Sequence, residues 1–142
     1  NCALIERALL GPAPFRAGLR SVEDWGLWIE LALRLGGLDV TPEPACAVRV
    51  LTRGNLTSDK RAMAANQIAL FEALAAAHPV LAERPYAQLV ELHLAAGHAR
   101  CGRRGEALRH ALRAAAADPA RVPALVLAKL RHRARMRRAW GR

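Results

Sequence analysis

Aromatic side chains are scarce: three Trp, two Phe and one Tyr make up 4% of the 142 residues. A core must therefore be built from aliphatic side chains. Cysteine is nearly absent too. Cys2, Cys46 and Cys101 are far apart and odd in number, so they form neither a disulfide framework nor a CxxC pair. That usage points to a reducing cytosol. No apolar run of about 18 residues occurs, which excludes a transmembrane helix. No glycine-rich phosphate loop is found. The chain starts at Asn1 rather than Met, and no basic-then-apolar leader follows. We therefore expect a piece of a longer protein.

What is present favours helix. Ala (31) and Leu (22) dominate, and 53% of residues are hydrophobic, which excludes wholesale disorder. Of 22 basic residues, 20 are Arg and 2 are Lys. With so much Ala, this fits a GC-rich bacterial coding bias. The net charge of +10 is unevenly spread. Residues 1–60 sum to zero, residues 61–98 to −1 and residues 99–142 to +11. A pI near 11.3 for the whole chain would suggest a nucleic-acid binder. Here the excess sits in the last third, so nucleic acid is not expected as a partner.

Punctuation divides the chain. Gly11-Pro12-Ala13-Pro14 keeps any first element short. Ser21 resembles an N-cap with acids behind it, opening a helix from Glu23 to Leu35 that ends at Gly36-Gly37. Trp25, Trp28, Ala32 and Leu35 recur on one face, which Leu27 and Leu31 widen. Glu30 and Arg34, four apart, are expected to pair. Pro42 and Pro44 forbid a helix interior, and Ala47–Leu51 reads as a strand. Arg53-Gly54-Asn55 is a turn. Leu56-Thr57-Ser58-Asp59 caps a helix from Lys60 to His78, with Met63, Leu70, Phe71 and Leu74 inward. A compositional boundary falls near 79–85. Beyond it, Pro85 opens a helix to about His98, Gly102–Gly105 breaks it, and Glu106–Ala117 follows. Asp118-Pro119 stops that helix, and Pro123–Arg138 forms a last one.

Several short pieces keep a fixed order. They are Ala3-Leu4-Ile5-Glu6-Arg7, Phe15 with Leu19, Glu23-Asp24-Trp25-Gly26-Leu27-Trp28, Pro42-Glu43-Pro44, Arg49-Val50 and Gly54-Asn55-Leu56-Thr57. Together they resemble the C-terminal part of the catalytic domain of family 2 glycosyltransferases, which have the GT-A fold. The resemblance covers residues 3–78. It implies a fold class that is predominantly α with a minor β component: a fragment of an α/β GT-A-like domain over 1–78, then a helical extension over 79–142.

The resemblance also implies a chemistry. These enzymes move a sugar from a nucleotide-sugar donor to an acceptor hydroxyl, on a glycan or a lipid-linked acceptor, with inversion. Asp24 would be the general base. An acceptor hydroxyl is a poor nucleophile until its proton is removed as it attacks, and a helix N-terminus favours the ionised carboxylate. Glu23 would bind acceptor or brace the loop. Trp25 and Trp28 would hold the helix against the sheet. The full-length enzyme would use Mg²⁺ or Mn²⁺ on a DxD motif, and no DxD occurs in this chain. The donor-binding half is thus expected to lie elsewhere, leaving the isolated fragment inactive. Gly26 stands where the family often has Asp, and the "GGFDE" stretch is degenerate around Phe15. The His expected after Arg49-Val50 is missing, and so is a QxxRW motif.

Leu94, Ala95, Gly102, Ala107, Ala114 and Pro119 match one tetratricopeptide-like helical pair. One such unit is too few for a solenoid. His93, His98, Cys101 and His110 cluster in sequence. His98 and Cys101 share a helical face while His93 points away, so no metal site is expected from them. The basic tail, Lys129 to Arg142, carries 7 Lys or Arg plus Trp140. It reads as a solvated terminus, as a nucleic-acid contact, or as a segment docking on anionic lipid at the inner face of the membrane. Asn55-Leu56-Thr57 is a glycosylation sequon in a context that reads as cytoplasmic. The rival to the transferase reading is a non-catalytic helical interaction module.

Overall fold

A computed structural model describes residues 5–11, 15–39 and 59–124, together with 131 and 134. Five α-helices order these residues: α1 (Arg7–Leu10), α2 (Glu23–Leu35), α3 (Lys60–Ala77), α4 (Tyr86–Arg100) and α5 (Arg104–Ala117). A 3-10 turn, Pro79–Ala82, joins α3 to α4, and another, Pro119–Arg121, follows α5. No strand occurs among the described residues. The expected strand Ala47–Leu51 lies outside them, as do Pro42-Glu43-Pro44, Gly54–Thr57 and nearly all of the basic tail. The chain is predominantly helical where it is described.

The start of α3 and the end of α4 follow local chemistry. Asp59 caps α3, accepting from the backbone N–H groups of Arg61 (3.1 Å) and Ala62 (2.9 Å), and so satisfies two otherwise orphaned donors. At the end of α4, Gly102 takes φ +78°. Its N–H donates to Ala99 O, and that of Arg103 to His98 O. This paired pattern closes the helix and needs a residue free to adopt the left-handed conformation. Gly102 therefore turns the chain, and α5 starts at Arg104, two residues earlier than the sequence suggests.

α3 is the central helix. Leu70 and Leu74 are completely buried, with Ile68 and Phe71 beside them. The cluster also takes in Val22, Leu81, Val90 and Leu94. Of the inward residues expected on α3, only Met63 is merely half-buried. Two glycines set how closely the helices approach. A Cβ on Gly97 would lie 2.7 Å from Ile68 Cγ1, and one on Gly26 would lie 2.9 Å from Leu70 Cδ1. Gly26, the departure from the family pattern, is thus where α2 meets α3.

α4 and α5 form an antiparallel pair. Near one end, Gln88 Nε2 donates to Ala114 O (3.2 Å) and Asp118 O (2.7 Å), carbonyls at the C-terminus of α5. Near the other end, the rings of His98 and His110 stack. Gln67 ties α3 to α4. It donates to His93 O (2.9 Å) and accepts from Arg100 Nη1 (2.9 Å).

Three local expectations fail around α2. Ser21 does not cap it. The N-cap position is Val22, in the left-handed conformation (φ +61°) with no side-chain cap bond, and Ser21 Oγ instead accepts from Asn66 Nδ2 at 2.8 Å. Glu30 does not pair with Arg34. Arg16 takes Glu30 Oε1 through Nε (2.9 Å) and Nη2 (2.5 Å), and Arg34 Nη2 reaches Leu9 O. The buried face of α2 is Gly26, Leu27 and Leu31, while Trp25 and Leu35 are exposed. In the first two cases a partner distant in sequence takes the place of the local one.

Candidate functional site

The start of α2 carries the residues that the sequence marks for chemistry. Glu23 and Asp24 occupy its first turn. Asp24 is exposed, and its Oδ1 accepts from the backbone N–H of Trp25 at 2.9 Å. It makes no ion pair among the described residues. Glu23 is half-buried, and its Oε2 is sunk without a hydrogen-bond partner.

Val22 explains this disposition. It is β-branched and sits at positive φ, a conformation that costs about 1–3 kcal/mol. Its buried side chain, part of the central cluster, holds it there. The chain therefore turns sharply into α2, with Val22 inward and Asp24 outward.

The two tryptophans diverge. Trp28 is half-buried. Trp25, 38% exposed, meets the ring of His93 edge-on, with centroids 5.7 Å apart. It packs against a helix rather than a sheet. His93 in turn stacks on Phe71 at 4.4 Å. A cavity of about 310 Å³ lies on the other side of these rings, lined by Ile29, Leu33, Phe71, Leu81, Tyr86 and His93 among others. Its walls are almost wholly apolar. None of Glu23, Asp24, Trp25 and Trp28 lines it, so His93 is the link between the cavity and the start of α2.

A second polar grouping, not expected from the sequence, lies where α4 and α5 face each other. The rings of His98 and His110 stack nearly parallel, with centroids 5.1 Å apart. His110 Nδ1 lies 2.6 Å from Glu91 Oε2. His98 is only 5% exposed, and neither of its nitrogens has a hydrogen-bond partner. Leaving a buried polar group unsatisfied costs about 1–3 kcal/mol. Burial, followed by the charges of His110 and Arg103, pushes the His98 pKa below its ordinary value. Glu106, on α5, completes a trio with these two histidines.

Cys101, which shares a face with His98 by spacing, is not part of this trio. Its Sγ lies 3.9 Å from Arg61 O. The signal for the real pairing is the break at Gly102, which folds His98 back over His110.

A divalent cation on a diphosphate calls for hard oxygen ligands. Among the described residues the one convergent grouping of three metal-ligating side chains is the His98–Glu106–His110 trio, which is not such a site. Glu23 and Asp24 at the start of α2 are joined by no third such side chain among the described residues. No helix among the described residues is long and apolar enough to cross a membrane. No protein-family model matches this chain, and neither a curated protein nor a solved structure matches it.

Proposed function

We propose that this chain is the C-terminal segment of an inverting, family 2-like glycosyltransferase, with Asp24 as general base. The observation that carries the reading is the exposed Asp24 carboxylate at the first turn of α2, inside the Glu23–Trp28 motif. In the reaction, an acceptor hydroxyl attacks the anomeric carbon of the donor. Its proton passes to an Asp24 oxygen, and the nucleoside diphosphate leaves from the opposite face of the sugar. The base must be reachable and free of a competing cation; the exposure of Asp24 and its lack of an ion pair among the described residues support the reading. Trp25, exposed beside Asp24, offers an apolar surface for a sugar face. The apolar cavity behind His93 favours a lipid-linked acceptor over a purely polar glycan, because such walls give sugar hydroxyls nothing to bond. Donor and metal would be held by the half that this chain lacks.

The test is Asp24→Asn in the polypeptide that includes the donor-binding half. Transfer should fall by about 10²–10⁴-fold, the usual contribution of a positioned base, with donor affinity unchanged. Transfer that survives would remove Asp24 from the role. The second reading, a non-catalytic interaction module, is favoured by Leu108 and Leu112. They stand four apart on α5 and are 61% and 62% exposed.

A further inference from the structure

We propose that His98, Glu106 and His110 form a binding site for a zinc-class divalent transition-metal ion between α4 and α5. The site is separate from the start of α2 and does not depend on the transferase reading.

Three observations converge. One ligand atom from each side chain lies within 4.8 Å of the other two. Ligands on a tetrahedral zinc, at bonds of about 2.0–2.2 Å, sit about 3.3–3.5 Å apart, so a contraction of at most about 1.5 Å closes the site. His98 is buried with both nitrogens unpartnered, so no protein group competes for either of them. His110 is backed by Glu91 at Nδ1, which leaves Nε2 for an ion. A carboxylate behind a ligating imidazole is the usual means of fixing its tautomer and orientation.

Two adjustments complete the geometry. The imidazoles are nearly parallel, and an ion held in the plane of both needs one ring to turn. His98 is the ring that turns, because it has no hydrogen bond to give up. Arg109 holds Oε2 of Glu106, which leaves Oε1 for the ion. Two imidazoles and one carboxylate select Zn²⁺, Co²⁺ or Ni²⁺ over Mg²⁺ or Ca²⁺. Three protein ligands leave a fourth position for water. Bound there, the ion would clamp the two helices at the end opposite Gln88.

The experiment titrates the chelator-stripped full chain with Zn²⁺ by calorimetry, and with Co²⁺ by visible absorption. We expect one equivalent to bind, tetrahedral cobalt bands to appear, and zinc to raise the unfolding temperature, since the unfolded chain holds no such site. Mg²⁺ should do none of these. His98→Leu should abolish binding. Glu91→Gln should weaken it about 10–100-fold. Glu106→Gln, at a part-exposed position, tests the site without disturbing the core, and should weaken binding and alter the cobalt spectrum while helical circular dichroism stays unchanged. Absence of zinc binding to the unaltered chain overturns the proposal. So does zinc binding that Glu106→Gln and His98→Leu both leave intact.

Discussion

α2 and the α3–α5 unit are both helical, but they are held differently. The ends of α3 and α4 are closed by their own neighbours: Asp59 caps one, and Gly102 turns the other. α2 has no side-chain cap at its start, and its lead-in is tied down from a distance. Ser21 reaches Asn66, Arg16 reaches Glu30, and Arg34 reaches Leu9. Local sequence thus marks the start of α3 and the end of α4, whereas contacts distant in sequence tie down the segment that leads into α2.

The comparison can be broken by substitution. The largest effect is expected from Leu74→Ala. Leu74 is completely buried at the heart of the α3 core, so chemical denaturation should show a loss of about 2–5 kcal/mol. A loss under 1 kcal/mol would mean that α3 is not the central helix. Next come the two N-termini. Asp59→Ala should cost about 0.5–2 kcal/mol, and Asp59→Asn should restore most of it, since Asn caps equally well. Ser21→Ala should cost about 0.5–1.5 kcal/mol, and a double-mutant cycle with Asn66→Ala should show coupling. If Ser21 and Asn66 prove additive, Ser21 acts locally and the contrast between the regions disappears. The smallest effect is expected at Leu108→Ser and Leu112→Ser, each within about 0.5 kcal/mol for exposed positions. A loss well above that would place a covering segment on this face of α5.

Much of the helical order is legible in sequence because its signals are short-range. The limits of α2, the Asp59 cap and the Asp118-Pro119 stop can each be read from a few adjacent residues. What is hidden depends on register across the fold. The spacing of Glu30 and Arg34 says nothing of Arg16, which takes Glu30 first. The small residue at Gly26 looks like a weak helix start until Leu70 is seen against it. Trp25 reads as part of a buried face, yet Leu27 and Leu31 turn inward and leave it at the surface. The site divides the same way. Asp24 is visible as a first-turn acid in a motif, whereas the meeting of His98 with His110 requires knowing that the chain reverses at Gly102.

The reversal at Gly102 also gives the molecule an order of assembly. Closing α4 on α5 brings together Glu91 and His110, 19 residues apart, whereas seating the start of α2 joins Ser21 to Asn66 across 45. The shorter closure costs less chain entropy. α2 precedes in sequence the helix α3 against which its inner face packs. Loop entropy therefore favours closing α4 on α5 over docking α2, the longer-range of the two contacts.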